Sequence, residues 1–299
     1  MNKQEAQRIL NNFAEMEWQR IKNTSFPYPI ILKEQCDTEW NALCSKQSSI
    51  RAPSPLIKRF HESLYSDKKE NRLSGVEYWK RLQEDFLEFQ RFYRNRLLNS
   101  NWAKSKENEK YIKIGFMPDF VYVQGMSTSG KAPTPSYFKP MLAKYIINKY
   151  LNKYKEIFDP FSGYSGRMLG TLACRKNYIG QDISIKHIEE SRALIEYLRK
   201  YIKIPNSCSL KVKDSLKTTG THECLFTCTP YASLEKWNDS DKKYSCDKWI
   251  TKCLKKYKCK KYVFVTDDKI KKYKKYIKEK IVNKSHWGTN YEYIVVIEK

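Results

Sequence analysis

The residues best suited to chemistry lie in Ile157 to Gly170, IFDPFSGYSGRMLG. A short apolar run ending in Asp159 leads into a turn with Gly163 and Gly166 and then into a helical pattern. In that arrangement the backbone can approach a nucleotide-like cofactor closely. Two glycines alone would fit any tight turn; acids at the ends of the next two apolar runs add to the signal. Asp182 closes Tyr178 to Asp182, about 20 residues on, where a carboxylate can accept hydrogen bonds from ribose hydroxyls. Asp214 follows in LKVKDSL. Three acids at successive strand ends disfavour a pyrophosphate and suit a cofactor carrying an amine, a sulfonium and a ribose.

These residues need a sheet to hold them. From Lys139 onward, short apolar runs at Ile157-Phe158, Tyr178 to Gly180, Leu210 to Val212, Cys224 to Thr227, Tyr262 to Thr266 and Tyr291 to Ile297 alternate with helical segments. Such alternation implies an α/β fold with a mostly parallel sheet covered on both faces. Residues 1 to about 110 read as helical instead. Ile9, Phe13, Met16 and Ile21 follow the helical period, as do Tyr78, Leu82, Phe86, Phe89 and Tyr93. The Pro-punctuated stretches at 25–29 and 52–55 read as loops. The small, polar, Pro-containing stretch 125–135, GMSTSGKAPTP, marks the expected boundary between a helical basic domain, 1–125, and an α/β domain, 126–299.

Asp159 to Gly166 resembles motif I of the S-adenosylmethionine-dependent DNA amino-methyltransferases that write it D-P-F-x-G-x-G, with Ser165 where the second glycine usually stands. The resemblance extends in order over roughly 160 residues. Pro135 to Leu142, PSYFKPML, is similar to the helix start that contacts the methionine end of the cofactor, Asp182 and Asp214 fall at the acids of motifs II and III, and Ser285 to Ile297 is similar to the terminal hairpin. Leu225 to Tyr231, LFTCTPY, lies where the family carries its catalytic strand-end tetrapeptide, and ASLEKW follows it. The resemblance implies a class I Rossmann-like methyltransferase domain, a mostly parallel seven-stranded sheet with a terminal antiparallel hairpin, behind a mainly helical N-terminal domain. It implies S-adenosyl-L-methionine as cofactor, held by Lys139, Pro140, Asp159, Pro160, Phe161, Ser162, Gly163, Gly166, Asp182, Ile183, Asp214 and Ser215. It places catalysis at Thr227, Cys228, Thr229, Pro230 and Tyr231, on the exocyclic amine of adenine or cytosine.

Such an amine is a poor nucleophile because its lone pair is delocalised into the ring. Acceptors at the first two tetrapeptide positions can pyramidalise the nitrogen and aim its lone pair, while the last aromatic stacks on a flipped base. Cys228 is a weak acceptor at the first position, and Thr229 replaces a rigid proline at the second. The hydroxyl of Thr227 or Thr229 is then the expected acceptor. Two alternatives remain: transfer to RNA or another nucleic acid, and a catalytically lapsed binding protein.

Charge points to the partner. Among 299 residues, 57 Lys and Arg against 33 Asp and Glu leave +24, an excess that a polyanion such as double-stranded DNA would neutralise. Expected backbone contacts are Arg91, Arg94 and Arg96, with Lys242, Lys243, Lys248, Lys252, Lys255 and Lys256 on a helix expected over 242–261. They belong to the segment 242–284, which holds 17 lysines against four acids, interleaved with tyrosines. Little room lies between Tyr231 and the next strand, so target recognition is expected mostly in 1–125. A companion restriction endonuclease is a further expected partner. No run reaches the ~18 apolar residues of a membrane span, and no secretory leader is recognisable, so a cytoplasmic protein is expected. Nine cysteines, an odd number, read as reduced thiols, and Cys246, Cys253 and Cys259 lack a familiar zinc spacing, so no metal is expected.

Overall fold

The structure, a computed structural model, describes residues 3–45, 49–50, 52–68, 72–201, 204, 206–229, 245–266, 270–285 and 288–299. The leading helices are α1 (Lys3–Ile21), α2 (Lys33–Ser45), α3 (Pro55–Phe60), α4 (Ser63–Ser66), α5 (Gly75–Glu84), α6 (Phe86–Asn99), α7 (Asn101–Lys104), α8 (Glu109–Lys113) and α9 (Asp119–Thr128). An alternating section follows. It runs α10 (Pro140–Tyr150), β1 (Glu156–Asp159), α11 (Gly166–Ala173), β2 (Asn177–Asp182), α12 (Ile185–Tyr201), β3 (Cys208–Val212), β4 (Gly220–Thr221) and β5 (Cys224–Cys228). It closes with α13 (Cys246–Lys256), β6 (Tyr257–Lys258), β7 (Lys261–Thr266), β8 (Ile277–Ser285) and β9 (Gly288–Glu298). Among the described residues no helix is long and apolar enough to cross a membrane.

The chain forms two units, one of Met1–Ile30 and Leu64–Pro135, the other of Ile31–Ser63 and Ser136–Lys299. Both differ from a single cut at 125/126. The stretch at 125–135 begins inside α9, and Ile31–Ser63, whose composition matches its helical neighbours, belongs to the unit that carries the sheet.

In the first unit, the apolar period over 78–93 is shared by two helices rather than one. Asp85 breaks it: its extended backbone ends α5, and its side chain accepts from the Glu88 amide to start α6. Ser74 and Glu77 form a reciprocal capping box at the start of α5. Tyr78, Leu82, Phe89, Tyr93 and Ile21 are buried as the periodicity implies, whereas Met16 is 66% exposed. Tyr122 of α9 stacks on Phe92 at 5.9 Å and donates to Glu17 at 2.8 Å, so its buried hydroxyl is satisfied.

In the second unit the sheet has seven strands in the order β3-β2-β1-β5-β7-β9-β8. The strands from β3 to β7 are parallel, and β9 runs antiparallel to both β7 and β8. This is the mostly parallel seven-stranded sheet with a terminal antiparallel hairpin that the sequence implied. Period-2 alternation makes both faces apolar: Ile157, Phe226, Val263, Val265 and Ile294 join α10 in one core, while Phe158, Leu225, Phe264 and Val295 join α13 in the other. Each such side chain, fully buried, contributes roughly 1.5–3 kcal/mol. The terminal hairpin begins at Ile277, earlier than the Ser285 expected, because β8 is a Lys-rich edge strand with no apolar run to reveal it. Likewise α13 ends at Lys256, short of the expected 261, and β7 already begins at Lys261.

Candidate active site

Strand order reverses at β1. The chain proceeds to β2 and β3 on one side, then crosses to β5 on the other, and in open α/β sheets ligands bind outside the carboxyl ends of the strands at such a switch point. The turn between β1 and α11 and the end of β5 both lie there. Phe158 of β1 pairs with Leu225 of β5, which sets Asp159 beside Phe226 and Thr227 along the ladder.

The turn is held by its neighbours. Gly163 and Ser165 have φ of 52° and 62°, the left-handed region that favours glycine. The Ser162 amide donates to the Gln181 carbonyl at 2.8 Å, and the Gly163 amide donates to Asp182 Oδ2 at 2.8 Å. Asp182 Oδ1 accepts from the Ser184 amide at 2.9 Å, so each Asp182 oxygen has one backbone donor and keeps capacity for another. A Cβ at Gly166 would collide with the Phe138 carbonyl oxygen, so this glycine lets the segment before α10 lie against the turn.

Asp159 faces inward. Its Oδ2 accepts from Arg167 Nε at 2.7 Å and the Tyr178 hydroxyl at 2.8 Å, and its Oδ1 from Thr227 Oγ1 at 2.7 Å and the Phe161 amide at 3.2 Å. The acid is fully buried. Burial works against the Arg167 charge, yet Asp159 outweighs it and holds the guanidinium above its ordinary pKa. Asp159 thus ties β1, β2, β5 and α11 together. Asp214 is half-buried and accepts from the Leu216 amide at 2.8 Å. Ser215 is buried and donates to the Pro160 carbonyl.

Ser165 keeps its glycine-type backbone through partners that sequence reading missed. Its hydroxyl lies 2.8 Å from His61 Nε2 and 2.6 Å from Ser191 Oγ. His61 Nδ1 lies 3.0 Å from Glu190 Oε2, and Glu190 also accepts from the Ser63 amide at 2.9 Å and from the Ser63 hydroxyl. Burial opposes the Glu190 charge, but His61 and Ser63 outweigh it and keep the carboxyl below its ordinary pKa. Arg167 carried a faint signal as a lone charge in an otherwise apolar helix start, GRMLG; His61 carried none.

At the methionine end expected of a cofactor, Lys139 is half-buried with Nζ 3.9 Å over the Tyr137 ring, and burial lowers its pKa. Pro140 is buried at the first position of α10. Phe161 meets Trp249 edge-on at 5.0 Å, and Ile183 is 51% exposed beside Asp182.

At the end of β5, Thr227 is buried with its hydroxyl committed to Asp159, and Cys228 is half-buried. Thr229 is buried, and its Oγ1 has no hydrogen-bond partner among the described residues. Ser162 Oγ in the turn and Thr266 Oγ1 at the end of β7 share that condition. Buried hydroxyls without partners are uncommon, and here all three stand at the carboxyl edge of the sheet. Pro230, Tyr231, Lys242 and Lys243 lie outside the described residues. Lys248 and Lys255 are exposed on α13 and Lys252 and Lys256 half-buried, while Arg91 and Arg94 are exposed on α6, in the other unit from the turn, and Arg96 is half-buried there.

No family model matches the chain, and no curated protein does. Among solved structures, a candidate RNA methyltransferase from Pyrococcus horikoshii is 11% identical with TM-score 0.40, over 54% of this chain and 82% of that one. The magnesium protoporphyrin IX methyltransferase of Synechocystis, with S-adenosylhomocysteine bound, is 10% identical with TM-score 0.37, over 52% and 78%. A candidate methylase from Clostridium difficile is 15% identical with TM-score 0.38, over 54% and 53%. At such identities the chemistry has to be read from the residues.

Proposed function

We propose that the protein moves a methyl group from S-adenosyl-L-methionine to an exocyclic amine, adenine N6 or cytosine N4, of a base flipped out of DNA. The observation that carries this is the hydrogen bond from Thr227 Oγ1 to Asp159 Oδ1, 2.7 Å, which joins the cofactor-type turn to the strand end where the amine would lie. The residues present fit the cofactor: Asp182 has spare acceptor capacity for ribose hydroxyls, Ile183 offers an exposed apolar side chain to a purine face, and Ser162 and Gly163 line the turn. When bound, S-adenosyl-L-methionine supplies a methyl group on a positively charged sulfur.

This chain's contribution is orientation. Thr229 Oγ1 is the acceptor available to an amine hydrogen, because Thr227 is committed to Asp159 and a thiol such as Cys228 accepts weakly. Holding the nitrogen pyramidal aims its lone pair and removes much of the entropic barrier, and no strong base is required.

Incubation with labelled S-adenosyl-L-methionine and DNA or RNA, followed by identification of the modified nucleoside by mass, tests the reading. The expected product is N6-methyladenine or N4-methylcytosine in DNA. Thr229→Val should lower transfer on the order of tenfold to a hundredfold with little change in stability, whereas Thr227→Val should cost about 1–3 kcal/mol of stability by stripping a donor from buried Asp159. Full activity in Thr229→Val would reject the assignment of Thr229. Cofactor binding without transfer to any nucleic acid would favour the lapsed alternative.

A further inference from the structure

On α6, Phe92, Asn95, Arg96 and Asn99 follow the i, i+3, i+4, i+7 spacing of one helix face, and at the end of α9 Gly125, Thr128 and the capping Ser129 follow i, i+3, i+4. These two faces of the first unit enclose a half-open cavity of about 130 Å³ with Ser100 at one side. Its walls are about evenly polar and apolar and hold a single formal charge, the guanidinium of Arg96.

Arg96 is placed there by its surroundings. A Cβ at position 125 would come within 2.7 Å of both Arg96 Cδ and Phe92 Cζ, so Gly125 clears the path along which the arginine stem crosses α9. One terminal nitrogen donates to Thr128 Oγ1 at 3.1 Å, while Nε is buried and has no partner among the described residues. No carboxylate among them lies within ion-pair distance, and burial pushes the guanidinium pKa down with nothing opposing it. A half-buried cation without a counter-charge loses hydration that no partner returns.

The carbonyls at the end of α9 could have explained the arginine as a helix cap, but they are already served. Gln124 O accepts from Thr128 Oγ1, Gly125 O from the Ser129 amide, Met126 O from Ser129 Oγ and the Ala132 amide, and Ser127 O from the Gly130 amide. What remains is a guanidinium on the cavity wall without a carboxylate, beside the Asn95 and Asn99 side-chain amides and the Ser100 hydroxyl, which can also donate. Those groups match a tetrahedral oxyanion better than a second cation or an apolar ligand.

We propose that this cavity is a phosphate site and that its occupant is a single backbone phosphate of the nucleic-acid strand. The strand assignment rests on the function proposed above; the oxyanion chemistry does not. The exposed Arg91 and Arg94 of the same helix add field, whereas Arg96 fixes where one phosphate sits and so sets register rather than bulk affinity.

The test uses the full chain. Inorganic phosphate, titrated by calorimetry at constant ionic strength against chloride, should bind the wild type and bind Arg96→Met at least about tenfold more weakly, with folding checked by circular dichroism. Should Arg96→Met fail to fold, Asn99→Leu fills the cavity while keeping the charge and should weaken phosphate comparably. A duplex oligonucleotide should then lose affinity in the same variant. No phosphate binding by the wild type would overturn the site. Phosphate binding with oligonucleotide affinity unchanged in the variant would overturn the strand assignment. A protein that binds both through Arg96 yet transfers no methyl group would sink the reaction proposed above and leave this site standing.

Discussion

Ser165 shows how one residue can depart from a motif and be compensated. A left-handed φ of 62° costs a non-glycine residue roughly 1–2 kcal/mol, and here its hydroxyl contacts to His61 and Ser191 offset that cost. Ser165→Gly should therefore change stability by no more than about 1 kcal/mol, because relief of backbone strain and loss of hydrogen bonds nearly cancel. His61→Ala should destabilise by about 2–4 kcal/mol, since it leaves Ser165 and Glu190 short of a buried partner. In the double variant the Ser165→Gly change should recover part of that loss. Urea melts of the four proteins give the coupling directly, and effects that add within about 0.5 kcal/mol would mean that His61 does not act through the turn.

Helix α2 carries a titrating group in the unit that holds the sheet. Glu39 accepts from the Leu56 amide at 2.7 Å, and burial pushes its carboxyl from 4.5 up to about 7, with Ser54, Leu56 and Lys139 pulling the other way. The folded protein therefore keeps a proton there that the unfolded chain has already released. Its contribution to stability is complete below pH about 4.5 and is lost as pH rises to about 7, because over that window the native state binds more protons. Melting temperatures of Glu39→Gln should lack this component while keeping the acceptor for Leu56; an unchanged slope would assign it elsewhere. His61 was not legible as part of the site, because its partner Ser165 stands 104 positions along the chain. The parallel strands were legible because a sheet covered on both faces needs near-continuous apolar runs. The Lys-rich edge strand β8 has no such need, and the break at Asp85 depends on a local side-chain competition that apolar periodicity does not register. Asp182 and Gly163 were legible since turn and strand-end acid are local features, but the inward turn of Asp159 depends on Arg167, Tyr178 and Thr227 arriving from three elements.

Across the whole molecule the charge of +24 conceals sites of opposite sign: acids at the sheet edge, and basic groups such as exposed Arg91, Arg94, Lys248 and Lys255 on α6 and α13. If those groups meet phosphates, log K for DNA should fall with log salt at about −0.9 per phosphate neutralised, giving a slope of about −3 or steeper. A fluorescence-anisotropy titration across salt concentrations reads this slope, and a flat line would remove the electrostatic account of the partner. The division of the chain also has a bearing on its synthesis. The segment Ile31–Ser63 belongs to the unit that carries the sheet, yet it leaves the ribosome long before that sheet. At about 5–20 residues per second, the 104 positions between His61 and Ser165 correspond to a wait of roughly 5–20 s. For that interval Leu56 and Ile57, fully buried in the finished protein, have no sheet unit to enter, so the nascent chain presents a sticky, unfinished segment that favours chaperone engagement until the second half is made.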